Sequence, residues 1–169
     1  IAKRVPIPAN ARKMHSRVVA RLAALEEWGY DSPLNRIEMA DKSVGIITSG
    51  ISYQYVKEVH PEASVLKLGM TNPLPWRLIK EFTDQVDSVI FVEEGEPYLE
   101  ERIRARLLID GKGSEMMSVE GELNPELVRT GIKDGESLPL TFDEVALPGR
   151  PPTLCAGCPH RGAFHTLSK

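Results

Sequence analysis

Three times in this chain a short run of apolar, mostly β-branched residues leads straight into a turn and then a helical pattern. That repetition limits the fold more than any other feature. The clearest case is Asp87–Leu108, DSVIFVEEGEPYLEERIRARLL. Val89, Ile90, Phe91 and Val92 form a run suited to a strand covered on both faces. Gly95 permits a turn, and Pro97 stands at the expected first helical position, where its missing N–H costs nothing. Leu99, Ile103 and Leu107 then fall on one helical stripe. Glu100 precedes Arg104 by one turn, the favourable order for an ion pair.

The same grammar recurs upstream. Val44–Ile47 reads as a strand ending in Thr48-Ser49-Gly50, followed by a helix over Ile51–Val59 that His60-Pro61 closes. Ser64–Leu68 reads as the next strand, Gly69–Pro75 as a loop, and Pro75 or Trp76 as the start of a helix carrying Ile79, Phe82 and Val86 on one side. Successive strand–helix units need crossover connections, so the expected fold is α/β: a three-layer, Rossmann-like sandwich with a mostly parallel sheet.

The flanks read differently. Ile1–Lys13 is basic, contains Pro6 and Pro8, and reads as a linker. His15–Trp28 is a helix candidate with Val18, Leu22 and Leu25 in phase and Gly29 as its stop. Tyr30–Lys42 reads as a surface connection, Gly111 and Gly113 as a turn, and Met116–Val119 as a further short strand. Asn124-Pro125-Glu126 opens a short helix that Gly131 closes, and Lys133–Pro152 reads as an extended Pro/Gly-rich arm. The expected division is 1–41 linker and helix, 42–122 α/β domain, 123–153 connecting arm, and 154–169 the start of another domain.

Composition removes several classes of function. A formal net charge of −3 predicts no nucleic-acid or anionic-membrane partner. No run of about 18 apolar residues exists to span a bilayer. The sequence begins with Ile1 rather than Met and reads as a piece of a longer protein. The only cysteines, Cys155 and Cys158, share one motif, which fits a reducing, cytoplasmic setting better than a secreted disulfide scaffold.

Three places carry possible chemistry. The first βα turn offers Thr48, Ser49, Gly50 and Ser52 to a ligand at the sheet's carboxyl end, where open parallel sheets bind. It is not a dinucleotide fingerprint, a nucleophile elbow or a phosphate-binding P-loop, and a plain capped turn explains it too. The turn after the third strand carries Glu93, Glu94 and Glu96, which cap a helix and repel phosphate. Cys155-Ala156-Gly157-Cys158-Pro159-His160 is the sharpest motif. A redox pair, a zinc site with His165, half of an iron–sulfur ligand set and a structural turn all remain open for it, as does a stand-alone metal-binding interaction module.

In order along the chain, GIITSGISYQYVKEV, LKLGMTNPLP, FVEEGEPYLEERIR, GELNPELV and RPPTLCAGCPHRG resemble the large (alpha) subunit of indolepyruvate:ferredoxin oxidoreductases. These belong to the thiamine-diphosphate-dependent 2-oxoacid:ferredoxin oxidoreductases. The resemblance implies a transketolase-C-terminal-like domain that supports assembly and supplies no bond-making group. It implies a parent enzyme that converts arylpyruvates and coenzyme A to aryl-acetyl-CoA, carbon dioxide and reduced ferredoxin. Thiamine diphosphate, magnesium and 4Fe–4S clusters are implied for that parent, with none expected on this chain alone. The implied partners are other domains of the subunit, a smaller beta subunit, ferredoxin and CoA. Cys155, Gly157, Cys158 and His160 match the start of the thiamine-binding domain, with Pro159 where sister enzymes carry Gly.

Overall fold

The three predicted runs lie side by side and point the same way. The computed structural model describes residues 7–113, 115–117, 119–133, 158 and 160–167. In chain order these form α1 (Pro8–Asp31), β1 (Arg36–Glu38), β2 (Asp41–Ser49), α2 (Ser52–Val59), β3 (Ala63–Leu68), α3 (Trp76–Thr83), β4 (Val89–Val92), α4 (Tyr98–Leu107), β5 (Gly111–Lys112), α5 (Pro125–Lys133) and α6 (His160–Leu167). The chain divides into two units, Ile1–Leu138 and Pro139–Lys169, and α6 belongs to the second. The first holds a five-stranded sheet in the order β1-β3-β2-β4-β5. β2 pairs in parallel with β3 and β4, β5 runs parallel to β4, and β1 lies antiparallel at the other edge.

Alternation along the strands builds two cores. Ile46, Val65, Ile90 and Val92 point to the face covered by α2 and α5, where Tyr53, Val56, Val59 and Val128 meet them. Ile47, Leu66, Val89 and Phe91 point to the opposite face, against Ile79 and Phe82 of α3 and Leu99 and Ile103 of α4. A crossover that keeps one hand must change faces when its direction along the sheet reverses. The path runs from β2 outward to β3, then back past β2 to β4 and β5, and its helices change faces at that reversal. The expected three-layer α/β sandwich is the observed one. Among the described residues no helix is long and apolar enough to cross a membrane.

Several local expectations need correction. The helix begins at Pro8, inside the stretch read as linker, and runs through Gly29 to Asp31. Gly29 is a packing residue and not a stop: a Cβ there would lie 2.6 Å from Met70 Cε. The real stop is Ser32, held extended at ψ 133° before Pro33. The stripe on α1 is also less covered than its period suggests, with Val18 44% and Val19 52% exposed. Residues 30–42 are not merely a surface connection, because they hold β1 and the first residues of β2. Pro97 flanks α4 as its cap, so Tyr98 is the first helical residue. The fifth strand is Gly111–Lys112, where a turn was expected, whereas Met116 and Met117 fold into a turn closed by the Gly113 carbonyl. Gly131 lies within α5 and brings it against the Met116 carbonyl, to which a Cβ would come within 2.7 Å. The arm expected over 133–152 falls almost wholly outside the described residues.

Phe82 is fully buried between α3 and the sheet. Phe82→Ala is expected to cost about 3–5 kcal/mol in urea unfolding. Lys80→Ala removes an exposed pair with Asp84 at 2.8 Å and should change stability by less than about 1 kcal/mol.

Candidate functional site

The chain leaves β2 and β4 in opposite directions along the sheet, so the crevice at this fold's switch point lies between their carboxyl ends. On the β2 side stand the four predicted ligand residues. Thr48 is wholly buried, and its hydroxyl donates to the Val92 carbonyl at 2.8 Å. That bond joins two neighbouring strands and turns the group away from solvent. Ser52 is likewise buried. Ser49 is half-buried and Gly50, with φ +57°, is exposed, so the outer part of this turn is Ser49 and Gly50.

On the β4 side Glu93 folds back over the start of α4. Its two carboxylate oxygens accept the Leu99 and Glu100 N–H groups at 2.8 and 2.9 Å. These are orphan donors of the first helical turn, so Glu93 supplies the capping side chain that Pro97, at the cap position, cannot. Burial pushes its pKa above the ordinary glutamate value; the two N–H bonds oppose this, and the nearby Glu100 and Glu101 charges add to the rise. Glu100 is itself buried and pairs with Arg104 at 2.8 Å, as the spacing predicted. Beside these carboxylates a cavity of about 10 Å³ is lined by Phe91, Glu93, Gly95, Pro97 and Glu100. It has room for roughly one water. Glu94 and Glu96 remain exposed.

Two polar devices escaped the sequence reading. Asn35 is buried, donates to the Gly29 carbonyl at 2.8 Å, and accepts the Gly69 and Met70 N–H groups at 2.9 and 3.0 Å. One amide thereby ties the end of α1 to the carboxyl end of β3. The second device surrounds Tyr53. Its hydroxyl donates to Glu38 at 2.6 Å and accepts from Arg36 at 2.9 Å. Glu38 also pairs with Arg36 at 3.1 Å and Lys57 at 3.2 Å. The Tyr53 hydroxyl bond, and then Lys57 and Arg36, hold the Glu38 carboxyl below its usual range despite partial burial. No hydrophobic period announces either device; an Asn after Ser-Pro and an Arg-x-Glu pair are weak signals.

The C-terminal motif lies in the second unit. Cys158 Sγ sits 3.3 Å from His160 Nδ1, and His160 opens α6. Cys155 and Gly157 lie outside the described residues. His165 is exposed on the last turn of α6. No group of three or more His, Cys, Asp or Glu fit for a metal ion occurs among the described residues. One thiol and one imidazole do not complete a cluster or zinc ligand set.

In architecture the first unit is an α/β sandwich of the kind found within 2-oxoacid:ferredoxin oxidoreductases. The chain superposes on the 2-oxoglutarate:ferredoxin oxidoreductase of Magnetococcus marinus with a TM-score of 0.59 and 21% identity, covering 76% of this chain and 23% of that one. Its sequence narrows the kinship to indolepyruvate oxidoreductase subunit IorA. It is 36% identical to the Archaeoglobus fulgidus subunit over 182 residues, 34% to that of Methanothermobacter thermautotrophicus and 33% to that of Thermococcus kodakarensis. Each match takes in 98% of this chain and 29% of the relative, so the chain is homologous to a segment of IorA and spans about three-tenths of those subunits. No family model matches it.

Two measurements test this edge. Asn35→Leu keeps the volume and strands three backbone groups, and is expected to cost at least about 2 kcal/mol in urea unfolding. For Glu93 the sign follows from its raised pKa. The folded state holds that proton more tightly, so the associated stability is complete below the unfolded value and fades as pH rises through the folded one. Stability relative to Glu93→Gln should therefore fall as the pH rises above the ordinary glutamate range. A flat or rising difference in urea midpoints would contradict the assignment.

Proposed function

We propose that this chain is a structural and assembly segment of an indolepyruvate:ferredoxin oxidoreductase. The observation that carries the reading is the alignment with IorA subunits over 98% of the chain. The parent enzyme, on this reading, oxidatively decarboxylates arylpyruvates with coenzyme A, giving aryl-acetyl-CoA, carbon dioxide and reduced ferredoxin. Residues 42–122 act as its transketolase-C-like domain, 1–41 and 123–153 as connections, and 154–169 as the first residues of the thiamine-binding domain. Thiamine diphosphate supplies the decarboxylation chemistry when bound elsewhere in the subunit. Cys155, Gly157, Cys158 and His160 lie at the border of that domain.

What the described residues do at the sheet edge agrees with a scaffold. Thr48 and Glu93, the polar groups nearest the switch point, spend their side chains on backbone partners. Leu22 and Val18 on α1 keep 40% and 44% of their surface exposed, an apolar ridge of the sort that domains bury against one another. Other domains of the subunit are the partners proposed for it, with a smaller beta subunit completing the enzyme. A second reading, a metal-binding module, draws on the closeness of Cys158 and His160.

The test compares the chain alone with the complete subunit pair. Both are given indolepyruvate, coenzyme A, thiamine diphosphate, magnesium and ferredoxin. The pair should form acyl-CoA and reduce ferredoxin, whereas the chain alone should do neither. Turnover by the isolated chain would refute the scaffold role. Stoichiometric zinc or iron in the purified chain would favour the metal module.

A further inference from the structure

We propose that Arg36 and Lys67, gathered on the ring of Tyr53, form a site for a phosphate-type oxyanion. The starting point is an unfavourable pairing. Arg36 and Lys67 are direct partners in the antiparallel register of β1 and β3. Like charges so placed repel and destabilise a sheet. Both nonetheless converge on one ring, the Arg36 guanidinium carbon 5.3 Å and the Lys67 ammonium 5.4 Å from the Tyr53 centroid.

The local charges do not balance. Three cations, Arg36, Lys57 and Lys67, surround one carboxylate, Glu38, and Glu38 is taken by Arg36 and Lys57. Among the described residues Lys67 has no carboxylate at ion-pair distance; its recorded partner is the ring. Arg36 spends Nε on Glu38 and Nη2 on the Tyr53 hydroxyl, which leaves Nη1 to donate. Lys67 adds three donors. The ring fixes both heads, so the ordering cost of bringing two long cations together is met before an anion arrives. Tyr53 is buried and fixed in turn by Glu38.

The ligand class follows from the donors. Two converging cations with separate donors suit a compact, multiply charged acceptor, and an arginine with a free nitrogen beside a lysine is a common way to hold phosphate. Lys67 is also opposite Thr48 in the β2–β3 register, so the site adjoins the Ser49-Gly50 turn. A phosphate ester held here would have its remaining body over that turn.

The experiment is a thermal melt of the chain in chloride, acetate, phosphate and pyrophosphate at matched ionic strength, with backbone amide shifts followed in parallel. Phosphate and pyrophosphate should raise Tm, as binding to the folded state alone requires, and move the signals of residues 36, 53 and 67. Acetate should act far less, and its acting equally would assign the site to carboxylates and overturn the phosphate class. Lys67→Met keeps the apolar stem on the ring and removes the charge. Without anion this variant should melt no lower than the natural chain, since a repulsion has gone. Its apparent phosphate affinity should fall on the order of tenfold. An equal gain in Tm for variant and natural chain is a general salt effect and overturns the site. So does a natural chain whose shifts at these residues ignore phosphate.

Discussion

The stretch 45–48 of β2 is dry on both faces, and the rest of the first unit is arranged to keep it so. Ile46 and Ile47 are 1% and 0% exposed, one to each side. Its backbone donors and acceptors are taken by β3 on one edge and β4 on the other. A stretch so enclosed tolerates almost no polar side chain, and the one within it, Thr48, is admitted because the Val92 carbonyl accepts a hydrogen bond from its hydroxyl. Burying side chains of this size contributes about 1.5–3 kcal/mol each. Among the described residues, the largest fully buried side chains all belong to the two clusters on either face of the sheet.

What periodicity reports, it reported well here. β2, β3 and β4 and the helices after them lie close to where the apolar runs and stripes placed them, because those elements are defined by their own burial. β1 and β5 were unreadable for the opposite reason. Arg36–Glu38 is a three-residue polar edge strand, and Gly111–Lys112 has two residues. Neither has an apolar face of its own; each is a strand only because a longer neighbour offers it a ladder. Gly29 and Gly131 misled in a related way. A glycine's role depends on what stands opposite, here a methionine side chain and a backbone carbonyl. That information is tertiary.

The candidate site divides along the same line. That polar residues would gather at the carboxyl end of β2 and β4 was evident from the strand–turn–helix order. Which of them still face outward was not. Thr48 looks identical in sequence whether its hydroxyl meets a ligand or Val92. Asn35 and Tyr53 act through partners many positions away, Gly69 from Asn35 and Glu38 from Tyr53. Arg36 and Lys67 become neighbours only once β1 adds itself to the edge.

That distribution bears on how this edge has been put to use. A switch point binds anions when helix N–H groups face an open crevice. At α4 those donors already have a carboxylate, and it is covalently part of the chain. An incoming phosphate would have to displace Glu93 and settle near the exposed Glu94 and Glu96, whose charges repel it. Positive charge lies instead on the β3 side, with Arg36, Lys57 and Lys67 around Tyr53. The two halves of the carboxyl edge therefore carry opposite signs, one self-capped and acidic, the other basic. A surface polarised in this way attracts an approaching anion toward its β1–β3 side.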